Sequence, residues 1–261
     1  MLAQGLRDRT IEERLRVARQ FRYEAEVELV DATYDDVSNW LAGKPAAGTR
    51  WTYFTDLKAL FKWMVLTGRV EKDPLFGLPA PKKPRSRPRP VATVYIERVL
   101  NSNLHKRTRW MILLAYYLGL RVTEISKVRG QDYDRITGQL LVEGKGGQLA
   151  VLPINPDLQK EFEATPQRGW WFPSYTKNGH IRSRSVGDTI SAVFARHGVK
   201  MTAHQLRHSF GTDLVASGVD IRVAQELMRH QSIQSTAIYV DVNIQQQLEA
   251  ASRLPIFKEK P

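Results

Sequence analysis

The sequence predicts a mainly α fold with a small antiparallel β-sheet (α+β), in two domains joined by a basic linker. Three observations lead there. Apolar residues recur at helical spacing along most of the chain. Two runs rich in leucine and valine, Gln139–Glu143 and Gln148–Ile154, flank Gly144-Lys145-Gly146-Gly147, a hairpin signal because glycine permits the turn dihedrals. Residues 79–90, PAPKKPRSRPRP, carry too much proline for regular structure and favour an extended connection.

The elements follow in order. Thr10-Ile11-Glu12-Glu13 has a capping-box pattern, and Ile11, Leu15, Ala18, Phe21, Ala25 and Leu29 continue on one helical face. Thr33-x-x-Asp36 starts a second helix through Val37, Trp40 and Leu41, with Gly43 as its stop. A third runs from about Thr49 to Thr67 and ends at Gly68. Residues 1–80 thus read as a helical domain, 81–90 as the linker, and 91–261 as a second domain with a C-terminal tail.

In the second domain a short helix is expected over Thr93–Leu100. Thr108–Leu118 is apolar all round, as a buried helix should be, and Gly119 ends it. A new helix opens at a Thr cap in Leu120-Arg121-Val122-Thr123-Glu124-Ile125. Asp132–Tyr133 and the hairpin runs are strands. Trp170-Trp171-Phe172-Pro173 reads as core or packing rather than a nucleotide-stacking surface, and Ser185–His197 as a helix.

Composition narrows the function. The net charge of +12 and pI of about 9.9 favour a polyanionic partner, nucleic acid before an anionic membrane. Without cysteine there can be no disulfide or thiolate metal site. The longest apolar run, Trp110–Leu118, is far short of the roughly 18 residues that span a bilayer. Arg7, Asp8 and Arg9 interrupt any signal-peptide core, so an intracellular protein without membrane is expected. In the linker Lys82, Lys83, Arg85, Arg87 and Arg89 have no acidic neighbour. They suit either a solvated connector or one that tracks a phosphate backbone, and the overall charge favours DNA.

The reactive residues gather in Met201–Val240. Thr202-Ala203-His204-Gln205 is a capping box that places His204 in the first turn of a helix, with Arg207 on the same face. The helix start favours an anion, an arginine forks onto two phosphate oxygens, and an imidazole beside it can exchange a proton. His204 and His208 share the i,i+4 spacing of a metal pair, but no third ligand or zinc motif accompanies them. Asp220 caps the next helix, whose Ile221, Ala224, Leu227 and Met228 point inward, and His230 falls past its end. A last helix from near Ser232 has Ile233, Ala237, Val240 and Ile244 on its apolar face, which leaves Tyr239 on the polar one. A tyrosine nucleophile needs cations and an imidazole to stabilise phenolate, a second arginine and a proton donor for the leaving oxygen. Arg121 and Lys145 are the candidates.

These boxes together resemble the tyrosine recombinases, the phage-integrase family. Leu118 to Ile125 is similar to the family's first arginine box, Gly144-Lys145-Gly146-Gly147 to its hairpin lysine, and His204 to Phe210 to its His-x-x-Arg box. Leu227-Met228-Arg229-His230 followed by Tyr239 is similar to the second histidine and the nucleophile. The resemblance covers roughly residues 91 to 250, and with lower specificity it extends to a helical core-binding domain and connector. It implies attack by Tyr239 on a scissile phosphate, giving a 3′-phosphotyrosyl bond and a free 5′-hydroxyl. Arg121 and Arg207 would clamp the phosphate, Lys145 would protonate the 5′-oxygen, and His204 would be general base and acid. His230 would hydrogen-bond a phosphate oxygen, and Glu124 would brace the arginines. Neither ATP nor a metal is implied. The resemblance further implies a homotetramer on two double-stranded DNA sites, accessory directionality or DNA-bending proteins, and a nucleoid-associated, cytoplasmic location in a bacterial or phage-infected cell.

The chain departs from the family pattern at three places. Arg229 stands where glycine is usual, and Gln148 and Leu149 stand where basic residues are common, which implies fewer DNA contacts by the hairpin. About nine residues precede the first expected helix, too few for the arm-binding domain of the elaborate phage integrases. Two other readings remain: a type IB topoisomerase-like enzyme, and a non-catalytic helix-turn-helix regulator.

Overall fold

Thr33 closes the capping box its sequence suggests: Asp36 Oδ2 accepts from the Thr33 N–H at 2.9 Å, and Thr33 Oγ1 from the Asp36 N–H at 3.3 Å. The structure, a computed structural model, describes residues 8–84, 88–144, 147–176 and 179–229. The chain divides into two compact units, Met1–Ser86 and Arg87–Pro261, with the division inside the proline-rich stretch.

The first unit holds α1 (Asp8–Glu24), α2 (Tyr34–Ala42) and α3 (Ala47–Leu66). Its core is aromatic. Trp40 of α2 stacks on Tyr53 of α3 at 5.1 Å, and Phe21 of α1 meets Trp40 edge-on at 5.2 Å. Two expectations for α1 fail. The helix starts before Thr10, so the Thr10–Glu13 box is not a cap, and its buried residues are Val17, Ala18 and Phe21, with Leu15 exposed. Ala25 and Leu29 pack on the core from beyond the helix, because the chain breaks at Glu26, which adopts φ 53°.

The second unit begins with α4 (Thr93–Leu100) and α5 (Lys106–Tyr117). Trp110 to Ala115 are all buried, and α5 packs against α8 (Ser183–Arg196) and α9 (Ala203–Ala216). The one-turn α6 (Val122–Ile125) follows, packed on α8, then a 3-10 turn Gly130–Asp132. A three-stranded antiparallel sheet has the order β1 (Tyr133–Asp134), β2 (Gln139–Glu143), β3 (Leu149–Pro153), with Leu141 opposite Val151. Leu140, Val142 and Leu152 enter the core, while Leu141, Leu149 and Val151 face outward. Beyond the sheet comes α7 (Pro156–Phe162), which the sequence pattern does not announce. Asn155 caps it by accepting from the Asp157 N–H at 2.9 Å, and Pro156 occupies its first position. Trp171 and Phe172 are core residues, and Trp170 packs half-buried between Arg129, 4.1 Å away, and His180. The last element among the described residues is α10 (Ile221–Met228), capped by Asp220. Among the described residues no helix is long and apolar enough to cross a membrane.

Candidate active site

Of the seven catalytic and supporting candidates, four lie in the described part of the second unit: Arg121, Glu124, His204 and Arg207. Lys145, His230 and Tyr239 lie outside the described residues, as do Arg85 and Arg87 of the linker. Lys82 and Arg89 are exposed, and the Lys83 ammonium lies 4.8 Å from the centre of the Trp51 ring.

Arg121 is held by the turn that follows α5. Gly119 has φ 58°, and a Cβ there would fall 2.3 Å from Phe210 Cδ1 on α9, so neither the backbone nor the space admits a side chain. This lets the 119–121 turn lie directly against α9. The expected Thr cap of α6 is corrected: Arg121 itself is the cap residue, at φ −74° and ψ 152°. Glu124, three residues on, accepts from the Arg121 N–H and from Nη1, both at 2.8 Å. The arginine side chain is one-third exposed and the carboxylate is buried.

Thr202 and Gln205 start α9 as expected, Gln205 Oε1 accepting from the Thr202 N–H at 2.9 Å. The other end of the Gln205 amide donates to the Arg89 carbonyl at 3.0 Å. Ser209 binds the next stretch of chain: it accepts from the Val91 N–H at 2.8 Å and donates to the Val91 carbonyl at 3.1 Å. Those two residues fasten the entrance of the unit to the site helix, a role that spacing alone does not reveal.

His204 is open to solvent on the first turn of α9. Crowding by surrounding protein, then the charges of Arg207 and Arg121, lower its pKa from the ordinary 6.5, so it is neutral at pH 7 and fit to accept a proton. The His208 ring meets it edge-on at 4.7 Å; burial, then His204 and Arg207, press its pKa down to about 4. Among the described residues no third ligand joins the two rings.

Arg207 is 2% exposed, and its guanidinium donates to the carbonyls of Gly119 and Met228. It therefore joins three segments remote in sequence: the Arg121 turn, α9, and the end of α10. Arg229 closes the same cluster. Its backbone is left-handed at φ 52° and ψ 47°, which is how an arginine occupies a position where the family usually has glycine. Its Nη2 reaches Glu124 Oε2 at 2.9 Å and the Gly119 carbonyl at 3.3 Å. In the sequence Arg229 is only a departure from the family pattern. No local signal relates it to a carboxylate so distant in the chain.

A cationic cluster around a buried carboxylate, beside an imidazole at a helix start, is an arrangement suited to a protein that handles phosphate. Residues 95–246 match the phage integrase family. The tyrosine recombinase XerA of Thermococcus kodakarensis is 31% identical over 213 residues, covering 78% of this chain and 74% of that one. Among solved structures, the integrase from mycobacterium phage Brujita is 42% identical with a TM-score of 0.54, covering 100% of this chain and 91% of that one. A lambda integrase dimer bound to a COC′ core site has a TM-score of 0.73 at 20% identity, covering 92% of this chain and 91% of that one, a likeness of fold. The chain belongs to the phage integrase family, the tyrosine recombinases. It is a site-specific recombinase that cleaves and rejoins DNA, and the matches do not favour a relaxing enzyme or a non-catalytic regulator.

Proposed function

We propose that Tyr239 is the nucleophile and that Arg121, Arg207, His204, Lys145 and His230 serve it in the roles their boxes imply. The Tyr239 oxygen forms a bond to the scissile phosphorus as the bond from phosphorus to the 5′-oxygen breaks. The phenolic proton passes to His204, and Lys145 gives a proton to the departing 5′-oxygen, which leaves as the free 5′-hydroxyl. Arg121 and Arg207 offset the charge gathering on the non-bridging oxygens, His230 adds a hydrogen bond, and Glu124 keeps the arginines in place. Attack by the 5′-hydroxyl of the partner strand reverses the chemistry and releases Tyr239. The phosphotyrosyl linkage conserves the bond, so the cycle consumes no ATP.

One observation supports this reading above the others. Arg207 fastens the Arg121 turn to the end of α10, which brings together boxes far apart in sequence, with His204 on the same helix. The wider reading follows from it. Residues 1–80 are the core-binding domain, and Lys82, Lys83, Arg85, Arg87 and Arg89 line the DNA backbone between the domains. The working assembly is a homotetramer on two double-stranded DNA sites, with accessory bending proteins, in the nucleoid of a bacterial or phage-infected cell.

The test uses a duplex carrying the attachment core that flanks the gene, nicked near the cleavage point so that the cut end diffuses away. The full-length protein should form an SDS-resistant DNA adduct, and Tyr239→Phe should form none. An adduct that persists in Tyr239→Phe would overturn the assignment.

A further inference from the structure

Two guanidinium groups converge on one buried carboxylate. Glu124 is 4% exposed; Arg121 approaches it from the same turn, and Arg229 from the far end of α10. Arg229 is held at least as firmly as Arg121. Its side chain is 10% exposed, Nη2 is shared between Glu124 and the Gly119 carbonyl, and Nη1 turns back to the Leu227 carbonyl at 3.2 Å. Its left-handed backbone is one that glycine adopts freely and an L side chain resists. Strain retained beneath a buried, ion-paired side chain points to a use for that side chain.

We propose that Arg229 is a positioning residue of this recombinase: through Glu124 it sets the direction of the Arg121 guanidinium, and it ties the end of α10 to the Arg121 turn. The proposal rests on the reading that Arg121 clamps the scissile phosphate. Arg229 does not itself touch the phosphate, because its terminal nitrogens are engaged with protein groups. A carboxylate gripped from two sides keeps one orientation, and the arginine it holds keeps one as well. Burial pushes the Glu124 pKa up, but Arg229, and after it the hydrogen bonds from Arg121, hold it below the ordinary 4.5. Burial and Arg121 also lower Arg229, but an arginine starts so far above neutrality that the pair stays ionic. A lysine at 229 would keep the charge but, with a single nitrogen, could not hold Glu124 and Gly119 while a second nitrogen bonds the Leu227 carbonyl as Nη1 does.

The test uses full-length protein with Arg229→Gly, Arg229→Lys, Glu124→Gln and the double variant Arg229→Gly/Glu124→Gln. The first readout is unfolding from neutrality to about pH 3. A carboxylate depressed by the fold adds stability above its unfolded value of 4.5, and loses it as pH falls through the folded value. Losing Arg229 raises the folded value, so Arg229→Gly should lose less stability on acidification than the parent. In the Glu124→Gln background the same change should alter the acid dependence no further. The second readout is adduct formation on the nicked duplex. Arg229→Gly should slow it roughly tenfold at unchanged DNA affinity and move its acid limb to higher pH, with Arg229→Lys restoring part of the rate. A purely structural role would leave the acid limb where it is. Parental rates and an unmoved acid limb in Arg229→Gly would overturn the proposal, as would acid dependences that add independently. If the parent protein forms no adduct, the proposed reaction falls, while the unfolding comparison still decides whether Arg229 holds the charge on Glu124.

Discussion

Arg207 shows how a buried cation can lean on backbone carbonyls. Two of its acceptors are the Gly119 carbonyl just past the end of α5 and the Met228 carbonyl ending α10, where aligned peptide dipoles present negative charge. Gly119 is what allows this. Gly119→Ala should cost roughly 2–5 kcal/mol, about 1–2 from the left-handed backbone and about 1–3 from the overlap with Phe210. Thermal unfolding measures it; adding Phe210→Ala should not lower stability as far as two independent losses would, since the second change removes the clash created by the first. At this scale the sequence is legible where spacing is short. His204 and Arg207 share a turn, and that proximity can be read from spacing without coordinates, whereas Glu124 is tied to the arginines only through the family resemblance. The grip of Arg229 on Glu124 and the hold of Ser209 on Val91 depend on how distant segments meet, and nothing in the local pattern encodes that.

Among the elements, the sequence foretells α2 and α9 from their capping boxes. Helix α4 and strand β2 have the expected ends, α2 starts at its Thr cap, and α9 starts after Thr202. Helix α1 misleads because its apolar residues lie on more than one face, and only contact with α2 and α3 selects Val17 and Phe21 over Leu15. Helix α7 is hard to read because Asn155-Pro156 suits a turn as readily as a helix start, and only Leu158 and Phe162 of its residues are buried. The hairpin of β2 and β3 bears on the role proposed for Lys145. Its strands keep their register as far as Glu143 opposite Leu149, and the Gly144 N–H donates to the Gln148 carbonyl at 2.7 Å just beyond. Lys145 is the next residue in sequence. Lys145→Ala should slow adduct formation about a hundredfold or more while DNA affinity stays near the parental value. A substrate with sulfur in place of the 5′-oxygen, whose leaving thiolate needs no proton, should recover most of the loss. Equal losses of binding and cleavage would make Lys145 a DNA contact instead.

For the whole molecule the governing quantity is charge. A net +12 spread over two units and a cationic connector predicts DNA affinity that falls steeply with salt. Replacing Lys82, Lys83, Arg85, Arg87 and Arg89 by serine should flatten the plot of log affinity against log salt by about one unit of slope per cation that contacts phosphate. An unchanged slope would mean the connector lies off the DNA. Proline and charge alone suggest a connector at residues 81–90, whereas its attachment is not legible in the sequence. Gln205 holds Arg89 and Ser209 holds Val91, both from the helix that carries His204 and Arg207. The connector is thus moored to the helix that carries two of the proposed catalytic residues. A pull along the tether, such as one unit gripping DNA while the other turns over, would bear on α9 before any other part of the second unit. Strain in the tether and reactivity at the phosphate then share a single mechanical anchor point.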